Sequence, residues 1–180
     1  YEAGFSDDVI CKTINSILLL RSGNEMYATV DLCLIDLVGC RARFIKTGAA
    51  PSFLLRDGQV QTISKPTLPL GILENVQPAV IHRFIEDQDV IVLMSDGAAG
   101  DGRWVARELP ALADLAPQAM AQALLDLSQK HQPEPDDRTI VVGRIQQLVA
   151  DDLLPVNRRL EHWRARVHSL SAGEEGDSNA

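Results

Sequence analysis

The chain has 180 residues, room for one ordinary domain, and 46% of them are hydrophobic, enough to bury a core. A formal net charge of −8 and a pI near 4.9 exclude the basic footprint that nucleic acid or an anionic membrane surface requires, and leave a basic partner compatible. Three cysteines (Cys11, Cys33, Cys40) without a CxxC pair argue against a disulfide framework and a zinc site, and fit a reducing, cytoplasmic setting.

No apolar stretch reaches the roughly 18 residues that cross a bilayer. The first residue is Tyr1, not Met. A processed or truncated product is therefore expected, with any membrane attachment confined to a segment upstream.

The pattern predicts a helix over 6–21. Ser6 is its N-cap, Asp7 and Asp8 suit the positive first turn, and Val9, Ile10, Thr13, Ile14, Ile17 and Leu18 make one apolar face. Alternating runs at 27–37 and 41–47 read as an antiparallel hairpin turned at Gly39. In the second run Ala42, Phe44 and Lys46 oppose Arg43, Ile45 and Thr47. The small residues of Gly48-Ala49-Ala50-Pro51 break the alternation, either as a plain turn or as the wall of a cleft. Segments 52–56 and 59–63 flank Asp57-Gly58, a strong hairpin signal. Residues 64–78, rich in proline, are a connection, and 80–85 and 89–94 are strands with Glu86-Asp87-Gln88 as the turn between them.

Helices are expected over 104–115 and 118–131, the second entered through Pro117, followed by a polar loop and a last strand at 139–145. A polar helix is expected over 151–170 and a disordered tail over 171–180. The 151–170 helix either packs on the domain or mediates association, which leaves a homodimer open. Hairpins with segregated helices indicate an α+β sandwich of antiparallel sheets, not a parallel α/β fold.

Two acidic features are the candidates for chemistry. In Ile91-Val92-Leu93-Met94-Ser95-Asp96-Gly97 an apolar strand ends in an acid followed at once by glycine. That places a carboxylate at a rigid strand end, suited to a hard cation, although strand-Asp-Gly is also an ordinary turn. In Asp136-Asp137-Arg138-Thr139, two adjacent acids stand at the entrance to Ile140-Val141-Val142. They repel each other unless a metal, Arg138 or solvent compensates them. If the two strands are neighbours, Asp96 and Asp136 meet at one sheet edge, and oxygen-only ligation there suits Mg²⁺ or Mn²⁺. Asp101 reads as a surface acid. Asp31 either supports the site by hydrogen bonds or faces solvent. His82, His131, His162 and His168 share no ligand spacing.

Asp-Gly after a hydrophobic strand, then Asp-Asp-x-Thr before the final strand, is similar to the end of protein phosphatase 2C-type domains. The ordered segments Asn15 to Ser22, Ala28 to Leu32, Ile45 to Phe53 and Leu68 to Leu73 resemble the phosphatase domain of the stage II sporulation protein E branch, from about Val9 to Ile145. The resemblance implies an α-β-β-α sandwich with two Mn²⁺ or Mg²⁺ ions at one end. It implies hydrolysis of phosphoserine by direct attack of an activated water, without a covalent enzyme intermediate. It makes Asp96 and Asp136 metal-ligating catalytic residues and Asp137 a further metal ligand. The implied substrate is a phosphorylated anti-anti-sigma factor, in the control of a sporulation sigma factor.

The family pattern also includes an upstream Gly-Asp and an Asp-Gly-x-Gly segment, which this chain does not contain in that place. The expectation is a domain incomplete at the N-terminus: 1–147 the C-terminal part of the phosphatase domain, 148–170 the appended helix, 171–180 the tail. Such a chain alone is expected to be poorly active. Arg138 stands where the family often has an apolar residue, and Ala98 to Gly102 departs from the usual pattern after Gly97. A chain with this fold and a partial metal site is also compatible with a non-catalytic regulatory or phosphoprotein-binding module. A nucleotide-binding protein is excluded by the want of a glycine-rich phosphate loop.

Overall fold

The computed structural model describes residues 6–21 and 26–146. The chain divides into two units, Tyr1–Ile145 and Gln146–Ala180. The expected 151–170 helix, the tail, His162 and His168 lie outside the described residues.

Helix α1 runs Asp7–Leu20, with the Ser6 side chain accepting from the Val9 N–H at its N-cap and Asp7 and Asp8 in its first turn. Strand β1 (Val30–Asp36) pairs antiparallel with β2 (Arg41–Thr47), from Val30 opposite Thr47 to Asp36 opposite Arg41. Asp36 shapes the turn, its Oδ1 accepting from the N–H groups of Val38 and Gly39. Strand β3 (Ser52–Arg56) pairs with β4 (Gln59–Ile63) across the Asp57-Gly58 turn. Strands β5 (Ala79–Phe84) and β6 (Val90–Met94) complete the predicted run.

The chain then departs from the sequence reading. A four-residue helix, α2 (Asp96–Ala99), follows β6 directly, and α3 (Arg103–Glu108) gives way to one 3-10 turn at Leu109–Leu112. Pro110 explains the break, because it removes a helix hydrogen-bond donor. Helix α4 (Pro117–His131) and strand β7 (Ile140–Arg144) close the unit.

The strands form two antiparallel sheets, ordered β1-β2-β5 and β4-β3-β6-β7. Strands β5 and β6 are consecutive but do not form a hairpin; the 85–89 segment carries the chain from one sheet to the other. Asp89, 1% exposed, holds this crossing. Its carboxylate takes the Arg56 guanidinium in a two-pronged ion pair (Nε to Oδ1 2.8 Å, Nη2 to Oδ2 2.6 Å) and also accepts from the Glu86 N–H. That pairing keeps the Arg56 guanidinium above its ordinary pKa, so it stays charged.

Alternation along the strands sorts the core into three layers. Cys11 and Leu18 of α1 pack with Ile45, Leu32 and Leu34 of the first sheet. Ala42 and Phe44 meet Leu54, Ile63 and Ile91 between the sheets. Phe53, Val90, Val92 and Met94 pack outward against Trp104, Val105, Met120 and Leu124 of the helices. The fold is an α+β sandwich of antiparallel sheets, as the hairpins and segregated helices implied, with the α-β-β-α layering that the resemblance implied.

Candidate functional site

Asp96 and Asp136 come together because β6 and β7 are neighbours. The register runs from Val90 opposite Arg144 to Met94 opposite Ile140, which brings the chain after β6 beside the chain before β7. Ser95 fastens this end. Its N–H donates to the Thr139 carbonyl (3.0 Å), its hydroxyl donates to the Asp137 carbonyl (3.2 Å), and its Oγ accepts from the Thr139 N–H (3.0 Å). Asp96 opens α2, and its Oδ1 accepts from the Gly97 N–H (3.1 Å). Asp136 is oriented by its own next amide: its Oδ1 accepts from the Asp137 N–H (2.8 Å).

Gly97 lies between the two acids and allows the approach. A Cβ at this position would stand 2.7 Å from the Asp136 carboxylate and 2.6 Å from the Asp137 carbonyl oxygen. Glycine lets the backbone lie against the Asp136 carboxylate, where any side chain would clash. Asp96, Asp136 and Asp137 are all exposed.

Arg138 does not compensate the acidic pair. Its Nη2 donates to the carbonyls of Gln132 and Glu134, tying down the loop before the site. Asp101 is a surface acid, as read from the sequence: Arg103 bonds it through main chain and side chain and holds its carboxyl below the usual range. His131 is structural, stacked on Trp104 with ring centroids 5.0 Å apart and 12° between planes. His82 is exposed on β5.

The chemistry of the site fits a hard divalent cation. Its side chains are carboxylates at a fixed sheet edge, the oxygen donors such an ion takes. In number the donors fall short. Among the described residues no group of three or more His, Cys, Asp or Glu side chains is gathered to hold a metal. Asp96 and Asp136 by themselves would be an incomplete donor set for such an ion.

From this acidic edge a cleft of about 410 Å³ runs between the sheets. Thr29 and, on β1, Asp31 and Cys33 line one side, Ser95, Asp96 and Thr139 the other, and Gly48, Ala49 and Ala50 form a wall. The small-residue segment thus serves as a cleft wall, one of its two sequence readings. Gly48 takes φ +58°, and a Cβ there would stand 2.6 Å from the Pro69 ring. Burial pushes the Cys33 thiol up to about 11, so it is protonated at neutral pH.

Two residues of this region escaped the sequence reading. Lys46 is fully buried, and Ser52 beside it is too. Lys46 Nζ lies 2.8 Å from Asp31 Oδ2 and 2.8 Å from Ser52 Oγ, and the Ser52 hydroxyl donates to Asp31 Oδ2 (2.8 Å). Asp31 accordingly turns inward to make hydrogen bonds and not outward to solvent. The available signal was Lys46 in phase with Ala42 and Phe44, the inward face of β2. Burial lowers the Lys46 pKa and the bond to Asp31 opposes that shift.

Comparison with known proteins agrees with this fold. The family model of stage II sporulation protein E matches residues 2–146. Stage II sporulation protein E of Bacillus subtilis (strain 168) is 34% identical over 153 residues, covering 80% of this chain and 18% of the relative. That of Priestia megaterium is 32% identical over 154 residues, covering 81% of this chain and 26% of the relative. The chain thus spans about a fifth to a quarter of the length of these curated relatives. Among solved structures, the Mn-presoaked phosphatase domain of the cell fate determinant SpoIIE from Bacillus subtilis superposes with a TM-score of 0.63 at 31% identity, covering 82% of this chain and 70% of that one.

Proposed function

This chain belongs to the stage II sporulation protein E family, and on that premise we propose that it is part of a metal-dependent protein serine/threonine phosphatase. The observation that carries the reading is the approach of the Asp136 carboxylate to Gly97, next to Asp96, at the β6–β7 edge. Asp96 and Asp136 would hold Mn²⁺ or Mg²⁺, with Asp137 beside them and the remaining ligands supplied by the rest of the protein. A pair of such ions, when bound, supplies charge neutralisation at the phosphoryl group and a water acidified to react near neutral pH.

The chain's own residues set the frame for that chemistry. Ser95 locks the two acidic turns together, Gly97 admits the Asp136 carboxylate, and the Gly48–Ala50 wall and Asp31 bound the cleft that reaches Asp96. Its volume of about 410 Å³ and its opening beside Asp96 suit a peptide segment carrying a phosphoserine. The substrate we propose is a phosphorylated anti-anti-sigma factor, in sporulation control and on the cytoplasmic side of the membrane. Among the described residues no helix is long and apolar enough to cross a membrane.

The intact protein with Mn²⁺ should hydrolyse a phosphoserine peptide, and Asp96→Asn or Asp136→Asn should each lower kcat/KM at least about a hundredfold, the usual scale for a residue that stabilises charge in the transition state. The 180-residue chain by itself should turn over poorly. Full activity in either variant overturns the assignment of these acids, and robust turnover by the isolated chain overturns its dependence on further ligands.

The shortfall of clustered ligands among the described residues favours a second reading, a regulatory module that binds a phosphoprotein without hydrolysing it. Retention of an intact phosphopeptide by the intact protein in the presence of Mn²⁺ would select that reading.

A further inference from the structure

Lys46, Asp31 and Ser52 form a buried polar trio that the acidic edge does not use. Two of its members bracket the cleft wall: Lys46 ends one side of the 47–51 segment, Ser52 begins the other, and the Lys46 ammonium donates to the Ser52 hydroxyl at 2.8 Å. That bond closes the segment at its base. Asp31, which lines the cleft, receives both groups on its Oδ2. The trio also crosses the sandwich, because Asp31 and Lys46 belong to β1 and β2 of one sheet and Ser52 to β3 of the other.

Placing this trio in the core is costly. Lys46 and Ser52 are fully buried, and Asp31 Oδ1 is out of solvent without a hydrogen-bond partner. A buried ion pair stabilises a fold less well than apolar residues of the same volume, so stability alone does not account for it. What the trio does that apolar side chains do not is fix one geometry. Gly48 to Ala50 make no strand, and their left-handed turn at Gly48 is held from outside by the Gly48 N–H donating to Thr67 Oγ1 (2.9 Å) and from below by the trio.

We infer that Lys46, Asp31 and Ser52 are positioning residues for the substrate cleft. They hold the Gly48–Ala50 wall at the distance from the Ser95–Asp96 edge that a phosphopeptide requires, and so set substrate binding without entering the chemistry. This inference rests on the phosphatase reading.

Ser52→Ala is the discriminating variant, because it removes the bond at the base of the wall and leaves the Lys46–Asp31 ion pair; Lys46→Met is the harsher companion. In the intact protein, Ser52→Ala should raise KM for a phosphoserine peptide about tenfold, the size of one hydrogen bond to a charged group, with kcat and Mn²⁺ affinity by calorimetry within about twofold of wild type. Hydrogen exchange of the Gly48–Ala50 amides should quicken in both variants, with or without Mn²⁺. A lower melting temperature with unchanged KM and unchanged wall exchange makes the trio merely structural and overturns the inference. A fall in Mn²⁺ affinity or kcat in place of the KM effect overturns it as well. Wild-type protein that binds the peptide and hydrolyses none of it sinks the phosphatase reading, and the exchange measurement then decides by itself whether the trio holds the wall.

Discussion

Gly97 sits against the Asp136 carboxylate with no room for a further atom. An alanine there would be welcome to helix α2 by propensity, since alanine is better than glycine in a helix by about 1 kcal/mol. Its methyl group would nevertheless have to displace the Asp136 side chain and the Asp137 carbonyl. Gly97→Ala should therefore leave overall stability within about 1 kcal/mol of wild type and weaken Mn²⁺ binding at least about tenfold, because the loss falls on the site and not on the core. Calorimetric Mn²⁺ titration of the intact protein beside a thermal melt in chelator checks this, and unchanged affinity would refute it. Ser95 belongs to the same scale. Its role as the stitch between 95 and 137–139 is invisible in a one-dimensional reading of Ser-Asp-Gly, where only the acid and the glycine draw notice.

At the scale of elements, helix α1 is attached to the body of the fold by one buried side chain as well as by its apolar stripe. Asn15, 2% exposed, donates to the carbonyls of Leu73 (2.9 Å) and Glu74 (3.1 Å) and accepts from the Gly71 N–H (2.7 Å). The long 64–78 connection is thus pinned to the helix, and Leu70 is fixed from its other side by paired main-chain bonds to Ala28. Asn15→Ala should cost about 2–3 kcal/mol, since three bonds are lost and buried main-chain groups are left unmatched. A lower urea midpoint with unchanged slope registers that loss; an unchanged midpoint would mean that solvent satisfies the connection equally well. The two hairpins were legible from alternation and turn residues, because both signals are local. The Glu86 to Asp89 turn carried the same local appearance and led elsewhere. What sends β6 to the other sheet is the Arg56–Asp89 pair and the separate packing of Ile91 between the sheets and of Val90 and Val92 on the helices.

For the whole molecule, an acidic edge with no salt bridge to a cation among the described residues predicts that the proposed metal, when bound, stabilises the fold. Like charges at Asp96, Asp136 and Asp137 repel, and a bound divalent ion relieves them. Free Mn²⁺ at a hundredfold excess over its Kd should stabilise the intact protein by about 2.7 kcal/mol, and chelation should remove that increment. Thermal melts with Mn²⁺ and with chelator measure it, and Asp136→Asn should melt alike in both. A wild-type melting temperature indifferent to Mn²⁺ would refute metal binding by this site.

Alternation, capping and turn chemistry determined the hairpins, helices α1 and α4 and the α+β class, because each depends on residues within a few positions of one another. The Asp96 and Asp136-Asp137 motifs were likewise visible as acids at strand ends. Their meeting could be stated only on the condition that β6 and β7 are neighbours, and that pairing, with the Asp136 carboxylate against Gly97, is decided by the tertiary structure. The buried Lys46–Asp31–Ser52 trio shows the same limit. An inward lysine is recognisable from strand phase, but its compensation by an acid on a neighbouring strand and a serine of the opposite sheet is a long-range fact that only tertiary packing decides.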